Sequence, residues 1–207
     1  MLDLTDRELI SEEDLRNVPG GETLKIADRA LVTPLAADLA RERHITIERA
    51  AAKPSARKLA IGADHGGFEM KEALKDVLSD LGFEYLDLGT HSTEAVDYPD
   101  FAGAVALAVS RKQCEFGIMI DGAGIGSCMA ANKIPGIRAA MCYDEASARN
   151  SREHNGANVL TLGGKMISNE QMRNIVRIWL STELTEERHR RRVAKIDALR
   201  WIQKRMV

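Results

Sequence analysis

The stretch GIMIDGAGIGSCMAANK, Gly117 to Lys133, carries an apolar run straight into an acid and three closely spaced glycines. A short apolar run bounded by turn residues reads as a strand buried on both faces, the pattern of a parallel sheet. Asp121 then stands at the carboxyl end of that strand, and the loop from Gly122 to Ser127 opens a helix. Glycines let backbone N–H groups approach a ligand, and a helix N-terminus favours negative charge, whether phosphate or a developing oxyanion. In open parallel sheets ligands bind beyond the carboxyl ends of the strands. The stretch therefore predicts both a central strand and the floor of a site.

Working outward, the alternation of short strands with amphipathic helices continues on both sides. KLAIGAD (58–64) reads as a buried strand and FEMKEALKDVLSDLG (68–82) as a helix with Phe68, Leu74, Val77, Leu78 and Leu81 on one face. FEYLDLG (83–89) is a second strand. A helix over about Phe101 to Arg111 leads to the quoted strand. GIRAAMCY (136–143) and NVLTLGG (158–164) are the fourth and fifth strands, separated by a helix from the cap residue Asp144. Ser168 and Gln171 form a capping box that opens the helix of NIVRIWL, and a charged terminal helix begins near Thr185. The fold class is α/β: a doubly wound, Rossmann-like, five-stranded parallel sheet with helices on both faces.

Residues before about 57 fall outside that alternation. Val18-Pro19-Gly20-Gly21 is a turn signal, Thr33-Pro34 an N-cap followed by proline at the first helical position, and LAADLARERH a short helix. Leu35, Leu39 and Ile45 form an apolar set suited to docking on the main domain. LISEEDL (9–15) coincides with part of an epitope tag, but S-x-x-D before an apolar residue is also a native capping pattern and the segment is read as native. The stretch AAAKPSARK (50–58) is the linker. The expected division is a short N-terminal extension with its linker, 1–57, and a main domain, 58–207.

Composition narrows the function classes. Among 207 residues the formal net charge is -2, with 44% hydrophobic and 29% charged, which suggests no nucleic-acid partner. The acidic N-terminus does not resemble a secretory signal, and no apolar run reaches the roughly 18 residues of a membrane span. The chain is expected in the cytoplasm. Cys114, Cys128 and Cys142 contain no C-x-x-C pair, so neither a disulfide framework nor a metal site is expected. The sequence GAGIG lacks the position and third-glycine spacing of a dinucleotide fingerprint.

Chemistry clusters at four places: Gly62-Ala63-Asp64-His65-Gly66-Gly67 after the first strand, the quoted loop, Ser151-Arg152-Glu153-His154-Asn155, and Arg188-His189-Arg190-Arg191-Arg192. Taken alone, His154 is a helix C-terminal cap. Arg188 and Arg192 lie four apart on one helix face, a spacing that suits a phosphate fork, although a charge run is more usually a solvated face.

In combination, ADHGGFEMKEAL, DYPDFA, the glycine loop with AANKIPGIRA, SREHNGANVLTLGG and RHRRRVAKI resemble the type B ribose-5-phosphate isomerase family, which includes the galactose-6-phosphate isomerase subunits. The resemblance covers about Lys58 to the C-terminus. It implies cofactor-free and metal-free aldose–ketose isomerisation of a sugar phosphate through an enediolate, in a homodimer or tetramer whose sites are shared between subunits. It assigns Asp64 and His65 to the sugar and its phosphate, Tyr98 to the pocket wall, and the N–H groups at Gly122, Gly124 and Gly126 to the enediolate. Arg188 and Arg192 match phosphate-binding arginines, and Lys165 stands where an arginine is common. His154 and Asn155 match residues reaching in from the neighbouring subunit, the histidine assisting ring opening.

The quoted stretch departs from the family. Asp121 replaces the cysteine that moves the proton between C1 and C2, Ala123 replaces a hydroxyl residue, and Ser127 stands where other members carry a glutamate base. A carboxylate can take and return a carbon-bound proton, so Asp121 is the expected base, with Cys128 as the competing one. The resemblance implies interconversion of ribose 5-phosphate and ribulose 5-phosphate; the alternatives are a weakly active or non-catalytic subunit that binds the sugar phosphate, or an isomerase of another sugar phosphate such as a hexose 6-phosphate. The segment ALVTPLAADLARERHITI (30–47) is similar to extensions of enzymes associated with bacterial microcompartments, which implies shell or cargo partners.

Overall fold

The computed structural model describes residues 2–5, 7, 9–27, 30–50 and 58–203, and its chain divides into two units, Met1–Ala56 and Arg57–Val207. The first contains β1 (Leu2–Leu4), β2 (Leu9–Ile10), α1 (Glu12–Arg16), β3 (Thr23–Ala27), β4 (Leu31–Val32), α2 (Pro34–Glu42) and β5 (Thr46–Ala50). It is more than the short arm expected from sequence. Strands β1, β3 and β5 form a parallel sheet in that order, and β2 pairs with β4 beside it. The unit repeats itself: Leu2 pairs with Leu24 and Leu9 with Leu31, each across the same length of chain. Each half places a strand, a short strand and a capped helix in turn. The caps are those the sequence suggests, with Asp14 accepting from Ser11 N at 2.8 Å and Thr33 Oγ1 accepting from Ala36 N at 3.2 Å. Ile10, Leu15, Leu24, Ile26 and Ala36 form the unit's own core. Leu39 and Ile45, expected to dock on the main domain, pack into that core instead, while Leu35 stays exposed.

The second unit runs β6 (Lys58–Ala63), α3 (Phe68–Asp80), β7 (Glu84–Asp87), α4 (Tyr98–Ser110), β8 (Phe116–Asp121), α5 (Ile125–Ala131), β9 (Ala139–Met141), α6 (Glu145–Glu153), β10 (Val159–Gly163), α7 (Asn169–Ser181) and α8 (Glu187–Gln203). Its sheet has the order β7-β6-β8-β10-β9, with every pairing parallel. Successive side chains alternate faces. Leu59, Ile61, Ile118, Ile120, Leu160 and Leu162 meet α3 and α7 through Leu74, Leu78, Met172 and Trp179. Ala60 and Val159 meet α4 and α5 through Val105, Val109 and Ala131 on the other face. The sheet is thus the doubly wound arrangement read from the strand pattern.

Local differences have simple causes. Helix α4 begins at Tyr98, with Asp97 at its N-cap and Pro99 in the first turn, so it starts earlier than the apolar pattern marks. The fourth strand shrinks to Ala139–Met141 because it lies at the sheet edge, paired on one side only. In α3 the buried face is Met70, Leu74, Val77 and Leu78, while Leu81 caps the helix and is exposed. Lys71, polar in any pattern count, is fully buried, with its ammonium 2.6 and 2.7 Å from the Asp87 carboxylate. No helix among the described residues is long and apolar enough to cross a membrane.

Candidate active site

Strand β6 runs out to β7 on one side, and the chain then returns to β8 on the other, which makes the β6/β8 boundary the switch point where such sheets bind ligands. Asp64 and Asp121 follow these two strands at that boundary, 6% and 4% exposed.

Asp121 answers the question its position raises. Its Oδ1 accepts from Ala123 N at 2.8 Å and from Gly124 N, and its Oδ2 accepts from Ser127 N at 3.0 Å. Both oxygens are engaged in folding the loop into the first turn of α5. A carboxylate so placed satisfies helix-end donors that would otherwise lack acceptors. The geometry therefore favours a loop anchor over the base expected from sequence, since each oxygen is held by at least one N–H of the loop. The loop is further fixed by Tyr143, whose hydroxyl donates to Ala123 O at 2.7 Å, and by Thr161, whose hydroxyl donates to Gly124 O at 2.9 Å. Sequence reasoning did not single out either residue, because each acts across the sheet from another element.

What the loop presents follows from what Asp121 consumes. Among the described residues, none accepts a hydrogen bond from the N–H groups of Gly122, Ile125 or Gly126. These are the amides open to a ligand. The N–H of Gly124, expected to serve with those of Gly122 and Gly126, is already held by Asp121, and Gly124 itself supplies the left-handed turn at φ 81°. Gly126 lies under Tyr98: a Cβ there would stand 2.5 Å from the phenol ring. Tyr98 is thereby placed as a wall over the loop.

Around this cradle, Asp64 Oδ1 accepts from Gly66 N at 2.8 Å and Gly67 N at 3.0 Å. Burial pushes the Asp64 carboxyl above its ordinary range; the amides of Gly67 and Gly66 oppose the rise, and the charge of Asp121 adds to it. The Nδ1 of exposed His65 lies 3.2 Å from Val96 O and 3.3 Å from Val96 N, which orients the ring. Lys165 N donates to Gly122 O at 3.1 Å, and its side chain passes Gly122. His65 and Lys165 line a cleft of about 470 Å³ with Gly66, Glu69, Thr93 and Gly164.

The remaining predicted residues gather elsewhere in this unit. His154 is the C-cap of α6 and stacks on His189 with ring centroids 4.2 Å apart. Asn155 lines a separate pocket of about 290 Å³ with Asn132, Arg138 and Ile196. Arg188 and Arg192 are exposed on α8, Arg188 Nε 2.5 Å from Glu186. His189 is buried, and among the described residues neither ring nitrogen has a hydrogen-bond partner, although Nε2 lies 3.8 Å from the Glu186 carboxylate, a feature hidden from sequence reading because it lies within an arginine run. Cys128 turns its thiol to Ala139 O on β9, 3.4 Å away, which disfavours it as a base acting over the glycine loop. Cys114 and Cys142 are buried free thiols whose pKa values burial raises. Among the described residues, no group of three or more His, Cys, Asp or Glu is gathered as for a metal ion.

Comparison with known proteins places this architecture. Residues 59–196 match the family described as Ribose/Galactose Isomerase. Ribose-5-phosphate isomerase B of Escherichia coli is 43% identical over 143 residues, 69% of this chain and 96% of that protein. A putative sugar phosphate isomerase of Bacillus subtilis is 43% identical over 141 residues, 68% of this chain and 95% of that one. Among solved structures, the Clostridium thermocellum ribose-5-phosphate isomerase B superposes with a TM-score of 0.68 at 47% identity, covering 72% of this chain and 99% of its own. That of Mycoplasma genitalium with bound ribulose 5-phosphate gives 0.67 at 36% identity, covering 69% and 95%. The matched region holds the five-stranded sheet, but for Lys58 at the start of β6, and the switch-point loops, and the chain belongs to the ribose/galactose isomerase family.

Proposed function

We propose that the protein interconverts ribose 5-phosphate and ribulose 5-phosphate through an enediolate. The observation that carries this reading is the cradle of N–H groups at Gly122, Ile125 and Gly126, unbonded among the described residues, beside a carboxylate and a cation at the sheet's switch point. An enediolate gathers negative charge on oxygen, and fixed amide dipoles stabilise such charge without reorganising. His65 and Lys165 supply polar and cationic contacts for the sugar and its phosphate, and Tyr98 closes the wall. The substrate follows from the relatives, one of which was solved with ribulose 5-phosphate bound.

His154, Asn155, Arg188 and Arg192 complete the site from a second copy of the chain, His154 assisting ring opening and the arginines holding phosphate. What supports this is their absence from the cleft lined by His65 and Lys165. The first unit serves assembly or docking within a bacterial microcompartment, supported by the exposed pair Leu9 and Leu31 on its short sheet.

The test is conversion of ribose 5-phosphate by the purified full-length protein, with release of the C2 proton to solvent followed in the same samples. Binding without conversion or exchange would refute the enzymatic reading and leave a sugar-phosphate-binding subunit.

A further inference from the structure

With Asp121 committed to the loop, the isomerisation has no base at the place the sequence suggests. The neighbouring strand supplies one. Asp64 follows β6 as Asp121 ends β8, and these strands are paired up to Ala63 and Ile120, so the two acids are the next residues along. Asp64 N donates to Ile120 O at 3.1 Å, which holds the two strand ends together. Their loops also touch: a Cβ on Gly66 would lie 3.2 Å from the Gly122 backbone and 3.3 Å from Asp64 Oδ1. The two carboxylates differ in one respect that matters. Every oxygen of Asp121 is engaged by N–H donors, whereas Asp64 uses only Oδ1, and no described residue donates to its Oδ2.

Building on the isomerase reading above, we propose that Asp64 is the catalytic base, its Oδ2 carrying the proton between C2 and C1, while Asp121 is a positioning residue that holds the amide cradle and sets a second negative charge beside it. In the open-chain aldose the C2–H bond breaks towards Oδ2. Its electron pair forms C1=C2, and the carbonyl π pair moves to O1, which the free amides of the loop receive. The carboxylic acid then returns its proton to C1 as the C1=C2 pair forms the new C–H bond. The O2–H proton passes to O1 and C2 becomes the carbonyl carbon. The step is redox-neutral within the sugar and needs no other reactant.

The environment suits this division of labour. Two neighbouring acids with different surroundings take different roles, the one whose anion accepts fewer hydrogen bonds being the stronger base. The charged and titratable groups acting on Asp64 are Asp121 and His65, with burial the larger influence. Ser127 Oγ, the other polar side-chain atom at the loop, is buried and has no hydrogen-bond partner among the described residues, but a hydroxyl is too weak a base for this step.

The experiment uses the full-length protein with Asp64→Asn and Asp121→Asn beside it. Asn at 64 keeps the Oδ1 acceptor for Gly66 and Gly67 but cannot take a proton. Asp64→Asn should lower kcat by about 10²- to 10⁴-fold and abolish C2 proton exchange, with ribose 5-phosphate still bound by calorimetry. Asp121→Asn should keep measurable turnover and move the acid limb of kcat/KM to lower pH, because a negative neighbour of the base is gone. Independently of either variant's folding, an epoxide analogue of the sugar phosphate should esterify Asp64, with the substrate protecting it. Retention of more than about a tenth of kcat in Asp64→Asn, or the label on Asp121 or Cys128, overturns the proposal. Absence of conversion by the unmodified protein overturns the isomerase reading itself.

Discussion

If Asp121 anchors the glycine loop, Asp121→Asn should weaken the fold by an amount set by its hydrogen bonds. The carboxylate accepts three N–H groups, from Ala123, Gly124 and Ser127. Asparagine oriented with its oxygen towards Ala123 and Gly124 keeps two of them as neutral bonds. Its NH2 then faces the Ser127 N–H, so that bond is lost and a buried donor is left without an acceptor. A hydrogen bond to a charged group contributes about 1.5–3 kcal/mol and a neutral one about 0.5–1.5 kcal/mol. One lost and two weakened bonds sum to about 3.5–6 kcal/mol. Relief of the repulsion with Asp64 offsets part of this, leaving a net destabilisation of about 2–4 kcal/mol. That is a large fraction of a domain's usual stability of about 5–15 kcal/mol. Urea unfolding followed by near-ultraviolet dichroism reports on the second unit, where Trp179 is buried edge-on to Phe116. Hydrogen exchange at Ser127 N should accelerate more than exchange in the core of β8. A variant within about 0.5 kcal/mol of the unmodified protein, with Ser127 N still protected, would refute the anchor.

Further outcomes follow from the same geometry. Gly126→Ala puts a Cβ into the Tyr98 ring and should raise KM by displacing that wall while unfolding changes little, measured by steady-state kinetics and a denaturation curve. Burial alone would raise the pKa of Asp87, but Lys71 and Lys75 more than offset it and hold it near about 2. The folded value is depressed, so this stability is present above the unfolded value of about 3.9 and is lost as pH falls towards about 2. Acid unfolding between those values should be less steep in Asp87→Asn. Burial lowers the pKa of His189, and His154 and Arg188 lower it further. The folded state therefore binds fewer protons than the unfolded one, and stability should drop as pH falls below about 6.5. His189→Phe, which keeps a ring on His154, should lessen that drop when Tm is compared at neutral and mildly acid pH. If sites are shared between subunits, Asp64→Asn and His154→Ala proteins should each be inactive and should recover activity on mixing and subunit exchange. Deleting residues 1–57 should spare ribose 5-phosphate conversion, because the family match begins at residue 59.

The parts of the molecule legible in the sequence are those governed by local physics. Apolar runs such as FGIMI and NVLTLGG, placed between capped amphipathic helices, fix a parallel sheet whatever their neighbours are. The capping pairs at Ser168/Gln171 and Asp144/Ser147 form as their spacing suggests. The first unit was harder to read because its strands are two to five residues long and interrupted by charges, too short for periodicity to register. Its internal repeat becomes visible only when Leu9 is seen paired with Leu31.

The sequence by itself determined the alternating α/β order, the glycine loop after β8, and the acid at its head. Only the tertiary structure shows which donors that acid meets. A carboxylate's role depends on which of its oxygens remain free, and that is set by donors brought to it by loop closure and strand pairing. Asp121 meets three amides of its own loop, while Asp64, on the adjacent strand, keeps one oxygen without a described donor. The same holds for His189, an apparent member of a solvated arginine run that the packing of α8 buries against His154. Residue type and spacing locate the polar groups along the chain; the three-dimensional arrangement of hydrogen-bond donors sets which of their atoms stay free.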